Sequence, residues 1–252
     1  MQQKIVFSQG GNEFCPMQPH LSYRPYRRPF RQPLRTARGL WAEREGYVLR
    51  LERGGRVSYG EVAPLPAFGT ETFEAAGALL ARLAADPRMP LPAEAPCCRF
   101  AWSAAYEALS TDPVPIPAEL PVAGLLPSGR AALEQGPAKA ALGYRSLKWK
   151  IGVEPPATEI ALAAELLDRL PAHCRLRLDA NAGFEADEAA LWVEFMAGKP
   201  GRFEFLEQPF PVGEEAAMER LAADSGVAIA LDESLNGPAG TRWLAPGAWS
   251  GP

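Results

Sequence analysis

An α+β region followed by a parallel β/α barrel is the fold class that this sequence predicts. Three observations predict it: a glycine hairpin between alternating strands in the first half, a proline cluster near the middle, and strict alternation of short apolar strands with helices beyond it. The first half opens with residues 1–21, expected as an N-terminal extension without fixed structure. YVLRLE then alternates apolar and polar residues, Arg53-Gly54-Gly55-Arg56 supplies a turn, and VSYGEVAPLP returns. Gly-Gly between two such runs is a hairpin signal, because tight hairpin turns need positive φ. Helical patterns follow over about Glu71 to Asp86 and Arg99 to Leu109. The cluster DPVPIPAELP, Asp112 to Pro121, then ends the α+β domain, expected over 22–115.

From 116 to 252 the texture is strand then helix, repeated: LPVAGLL, a helix ending near Gly143, YRSLKWKIG, a helix around Glu159 to Leu170, and RLRLDAN. A helix from Asp187 to Met196 comes next, then FEFLEQP, a helix from Gly213 to Ala223, and VAIALDESL. No connection is short enough for a hairpin, so the strands must run parallel. Five successive units without a G-x-G-x-x-G after the first strand fit a closed β/α barrel, here incomplete, better than an open doubly wound sheet.

Composition excludes several functions. A formal net charge of -4 and a pI near 5.4 offer no cationic face to a phosphate backbone or an anionic bilayer. No apolar run reaches the roughly 20 residues of a membrane span, and the start lacks a basic-then-apolar leader, so the cytoplasm is expected. Cys15, Cys97, Cys98 and Cys174 are too few and too irregular for a disulfide framework. They are read as reduced, with Cys97 and Cys98 as small packing residues.

The polar residues of the second half fall at strand ends. Lys148 and Lys150 end the second barrel strand, Asp179 the third, Glu207 the fourth and Asp232 the fifth. In a barrel, those positions face the active site. The period of two agrees: Ala228, Ala230 and Asp232 share one face while Val227, Ile229 and Leu231 take the other, and Lys148 and Lys150 lie opposite Leu147 and Trp149. Three carboxylates converging on one point repel unless a cation sits among them, and an all-oxygen set without histidine or cysteine selects a hard ion, Mg²⁺ first and Mn²⁺ as the alternative. A calcium loop beginning at Asp179 is excluded, because its sixth position would be Phe184 and its twelfth Ala190, where glycine and glutamate are required.

Like charges two apart on one strand face lie roughly 7 Å from each other. At an effective dielectric near 20 they repel by about 2.4 kcal/mol, enough to bring one lysine from about 10.4 toward roughly 8. The second lysine thus helps to make the first a base. A base beside a bound cation suits removal of a proton α to a carboxylate, since the cation and the remaining lysine stabilise the charge that develops.

With Lys148-Trp149-Lys150, Asp179-Ala180-Asn181, Glu207-Gln208-Pro209 and Asp232-Glu233-Ser234 in place, the chain resembles the enolase superfamily, and within it the muconate-lactonizing subgroup. REGYVLRL (44–51), YGEVAPLPAFGTET (59–72) and RLDAN (177–181) narrow the resemblance to a branch that serves menaquinone and phylloquinone biosynthesis. The resemblance implies an enolase-like α+β capping domain over a (β/α)₇β barrel, with Mg²⁺ on Asp179, Glu207 and Asp232. It implies Lys150 as the base, which then returns its proton to a leaving hydroxyl on the same face, Lys148 on the substrate carboxylate, and Arg177 and Asn181 as substrate-side supports. Residues 35–39 and 67–70 resemble the closing loops of that family.

The implied reaction is a lyase reaction, the syn-dehydration of 2-succinyl-6-hydroxy-2,4-cyclohexadiene-1-carboxylate, by a monomer or homodimer acting on a small carboxylate. Racemisation or epimerisation of acylamino acids or dipeptides is the alternative within the superfamily, and a fragment that only binds metal or a partner is the alternative outside enzymes. Family members carry a further lysine on the sixth strand. The sequence stops at Trp249-Ser250-Gly251-Pro252, short of it, so a barrel of about five strands with an open edge is expected.

Overall fold

The structure, a computed structural model, describes residues 18–36, 39–111, 119–236 and 240–252. Two compact units divide the chain: residues 1–31 with 43–114, and residues 32–42 with 115–252.

A three-stranded sheet in the order β1 (His20–Thr36), β2 (Gly39–Arg53), β3 (Arg56–Val62) belongs to the first unit except for residues 32–36 of β1 and 39–42 of β2, and that unit also holds helices α1 (Phe73–Ala85) and α2 (Pro96–Ser110). Gly54 and Gly55 both have positive φ, 57° and 79°, as the hairpin requires. They set the antiparallel register Tyr47↔Val62 through Arg53↔Arg56, which sends Leu49, Leu51 and Val62 into one core with Leu80, Leu83, Ala101 and Ala105 of the helices. At Gly60, a Cβ would lie 2.2 Å from the carbonyl oxygen of Ala101, so α2 rests directly on the backbone of β3.

Two boundaries differ from expectation in this unit. The segment expected as an extension reaches only partly: residues 1–17 lie outside the described residues, whereas His20 already opens β1 and Leu21 is buried. Helix α2 starts at Pro96, three residues before Arg99, because proline suits the first turn and the Glu71 carboxylate accepts hydrogen bonds from the backbone N–H groups of Cys97 (3.2 Å) and Cys98 (2.7 Å).

The second unit is built on a five-stranded parallel sheet in chain order: β4 (Gly124–Leu126), β5 (Ser146–Lys150), β6 (Arg175–Asp179), β7 (Phe203–Glu207) and β8 (Ile229–Ala230). Helices α3 (Ala132–Ala141), α4 (Pro156–Arg169), α5 (Ala186–Ala197) and α6 (Glu215–Ser225) alternate with the strands. The outward positions Leu147, Trp149, Ile151, Leu176, Leu178, Leu206 and Ile229 bury against Leu162, Leu166, Trp192, Met196 and Met218 of the helix layer. That burial fixes the register, because a slip of one residue would turn every polar strand end into the core. Lys150 pairs with Asp179 and Asp179 with Glu207 across adjacent strands.

Strand β8 is shorter than the run VAIALDESL suggested. Its ladder stops at Ala230; beyond it the Asp232 N–H bonds to the side chain of Gln208 instead of a strand carbonyl, and Glu233–Leu235 forms a turn of 3-10 helix. Among the described residues, no helix is long and apolar enough to cross a membrane.

Candidate active site

The C-terminal ends of β5, β6 and β7 bring Lys148, Lys150, Asp179 and Glu207 together. Lys148 Nζ donates to Glu207 Oε1 at 2.6 Å and Oε2 at 2.8 Å, and lies 3.0 Å from Asp179 Oδ2. Lys150 Nζ lies 3.3 Å from the same Asp179 oxygen and donates to Asn181 Oδ1 at 2.7 Å. The two carboxylates are buried, Asp179 at 1% and Glu207 at 8% exposure, so their charges must be answered inside the protein.

Those pairings set the charge of Lys148. Burial alone would lower its pKa, but the hydrogen bond to Glu207 and the charges of Asp179 and Glu207 outweigh it, and the ammonium is held above the ordinary lysine range. Glu207 is pushed upward, first by burial and then by the charges of Asp179 and Asp232, with Lys148 acting in the opposite sense.

The expected carboxylate triad is gathered only in part. Asp179 and Glu207 converge on the Lys148 ammonium, while Asp232, on the turn after β8, acts on Glu207 through its charge; among the described residues, no three acidic, histidine or cysteine side chains form a ready coordination group. The physical reason is the ammonium itself, which draws the first two acids onto nitrogen. The donor chemistry still fits a hard divalent ion: every acid in the group offers oxygen, and the buried Asp179 Oδ2 is the point on which positive charge already collects from two strand positions.

Asn181 is placed at the rim in the left-handed region, φ 48°. Its backbone N–H bonds to Asp179 Oδ1 (3.0 Å), and its side-chain amide links Lys150 to Glu233 (3.4 Å). Arg177 lies on β6 two residues before Asp179. Its Nε donates to Glu204 Oε2 at 2.5 Å, its guanidinium sits 5.2 Å over the Phe205 ring, and it lines a cavity of about 680 Å³ with Ser146, Tyr144 and Val122. Of the expected closing loops, residues 37 and 38 lie outside the described residues, and Pro66–Phe68 is a turn of 3-10 helix ending at Gly69.

Several supports were not assigned from the sequence. Glu159, fully buried in the first turns of α4, accepts from the N–H groups of Gly152 (2.7 Å), Val153 (3.1 Å) and Glu154 (3.2 Å), and so ties down the loop that leaves Lys150. Gln208, also fully buried, bonds to Phe210, Asp232 and Ser234. Glu204 enters the inner face through a register shift between Leu176 and Arg177 against β7, which a strict alternation of two could not reveal. Gln208 did carry a signal: a polar residue directly after a rim carboxylate, in an apolar run.

A parallel β/α sheet with lysines and acids at successive strand ends is the arrangement of enolase-like proteins, and residues 131–248 match the family described as enolase C-terminal domain-like. Residues 22–109 match the family described as MenC, N-terminal domain. The chain belongs to the o-succinylbenzoate synthase family. It is 38% identical over 236 residues to the o-succinylbenzoate synthase of Thermosynechococcus vestitus, covering 91% of this chain and 73% of the relative. With the Vibrio cholerae (strain M66-2) protein of the same name it shares 30% identity, spanning 58% of that relative's length. A solved o-succinylbenzoate synthase from Thermosynechococcus elongatus BP-1, described as complexed with Mg in its active site, superposes with a TM-score of 0.74 at 37% identity, over 85% of this chain and 69% of that one. An L-Ala-D/L-Glu epimerase from Bacillus subtilis, 19% identical with a TM-score of 0.73 over 85% of this chain and 67% of that one, shares the fold alone.

Proposed function

We propose that this chain carries the site of a Mg²⁺-dependent lyase that dehydrates 2-succinyl-6-hydroxy-2,4-cyclohexadiene-1-carboxylate to o-succinylbenzoate, in the route to menaquinone or phylloquinone. The observation that carries the reading is the pair of amines on one strand face, 3.0 and 3.3 Å from a single buried Asp179 oxygen, in a chain 38% identical to a synthase of that name.

Asp179, Glu207 and Asp232 are the residues that would hold the ion. When bound, Mg²⁺ supplies electrostatic stabilisation for charge developing on the substrate carboxylate. Lys150 Nζ takes the α-proton and then passes that proton to the departing hydroxyl, so one water leaves and Nζ ends as it began. Both transfers occur on the face where Lys150 stands, which gives syn geometry. Lys148, beside the acids that would hold the ion, would offer its ammonium to the substrate carboxylate. Asn181 aims Lys150 through the 2.7 Å hydrogen bond.

Loss of ultraviolet absorbance on aromatisation of the cyclohexadiene, dependent on added Mg²⁺, is the expected result. Absence of that change at every magnesium concentration, in protein shown to bind the ion, rejects the reaction.

A further inference from the structure

Gln208 is a buried neutral side chain between two rim carboxylates, and its amide is saturated. Its Nε2 donates to the carbonyl of Phe210 (3.0 Å) and the hydroxyl of Ser234 (2.8 Å), and its Oε1 accepts from the N–H groups of Asp232 (2.9 Å) and Ser234 (3.2 Å). The residue itself is held at φ 39°, a strained region for a side chain with a Cβ. Its own backbone joins both neighbouring strand ends, donating to the Ala230 carbonyl (2.8 Å) and accepting from the Ala182 N–H (2.7 Å).

The β8 ladder has ended by Asp232, whose φ of -130° and ψ of -76° belong to neither strand nor helix. Oε1 of Gln208 is the acceptor that holds the Asp232 N–H. The next residue back from Gln208 is Glu207. One amide therefore ties the backbone carrying one rim carboxylate to the backbone carrying another, and it does so without adding a charge to an acidic cluster. A glutamate here would keep the acceptor but lose both donors; an apolar isostere would lose all four bonds.

We infer that Gln208 is a positioning residue that sets the ion affinity of this site by fixing Asp232 beside Glu207. The inference rests on the ligand assignment proposed above. Groups that orient metal-binding side chains typically cost roughly 10- to 100-fold in affinity when removed.

The test is calorimetric titration of Mg²⁺ alone into the wild-type chain, Gln208→Met, Gln208→Glu and Asp232→Asn, with thermal unfolding of each. Gln208→Met is expected to remain folded and to bind Mg²⁺ roughly 10- to 100-fold more weakly, with turnover restored at high magnesium; Gln208→Glu is expected to retain more affinity, because its carboxylate still accepts from Asp232. Wild-type affinity in Gln208→Met, with only a lower melting temperature, would reduce Gln208 to a fold staple and overturn the inference. Should that variant fail to fold, Ser234→Ala, which removes the hydroxyl gripped by Nε2, carries the same test: weakened binding supports the inference, and unchanged binding overturns it. Undiminished affinity in Asp232→Asn would instead strike the ligand assignment, a different failure with its own signature.

Discussion

Lys148 is held between two acids while Lys150, two residues on, is drawn toward an amide, so the two amines of β5 do different work. Lys150→Ala is expected to lower turnover by roughly 10²- to 10⁴-fold, the span of the general base proposed above, and to shift Mg²⁺ affinity less than Lys148→Met does in a calorimetric titration, because its amine lies beside Asp179 alone whereas Lys148 holds both acids. Lys148→Met should separate the two measurements in the opposite sense. Removing a competing cation from Asp179 and Glu207 tightens Mg²⁺ binding, while the loss of the substrate-side ammonium lowers turnover. Glu204 provides a pH test. Burial raises its pKa, but the hydrogen bonds from Ser146 and Arg177 prevail and hold it below the ordinary carboxylate value. A depressed folded pKa means that its stabilisation is present above the unfolded value of about 4.3 and is lost as pH falls through the folded value. Glu204→Gln should therefore show a shallower decline in melting temperature below about pH 4 than the wild type.

At the scale of elements, two contacts decide whether a strand and its helix can stay together. Gly60→Ala forces a Cβ against the Ala101 carbonyl, and the resulting displacement of α2 is expected to cost about 1–3 kcal/mol, read as a lower denaturation midpoint. Glu159→Ala leaves the N–H groups of Gly152, Val153 and Glu154 without their carboxylate and should destabilise by about 1–3 kcal/mol, with turnover falling further because the end of β5 loosens. Elements whose signal is local were legible in the sequence. The Gly54-Gly55 turn, the alternation in Ser146–Lys150 and the central turns of the amphipathic helices sit where periodicity and turn chemistry placed them. What was not legible depends on partners distant in the chain. Glu71 moves the start of α2 from 26 residues away, Gln208 ends β8 from 24 away, and Glu204 reaches Arg177 only through a bulge. The site follows the same division: its lysines and acids were visible as strand-end residues, but the direction of Lys148 was not, because the acids that hold it stand on two other strands, 31 and 59 residues further along the chain.

For the molecule as a whole, the edges of the parallel sheet differ. On β8, the Trp249 indole donates to the Ile229 carbonyl at 3.0 Å, and Gly251 approaches so closely that a Cβ would meet that same oxygen. On β4, Leu125 is 51% exposed, and Leu120 and Val122 before it are exposed as well. Exposed apolar strand edges favour pairing with other chains. Light scattering on concentrated protein is expected to report self-association that Leu125→Lys reduces, with no change in the unfolding midpoint.

The Lys148 bridge has a last consequence, for the protein between periods of use. A rim whose acids are already neutralised from within is held by its own charges. On the ligand assignment proposed above, stripping the ion with a chelator is expected to stop turnover and to leave the melting temperature where it was.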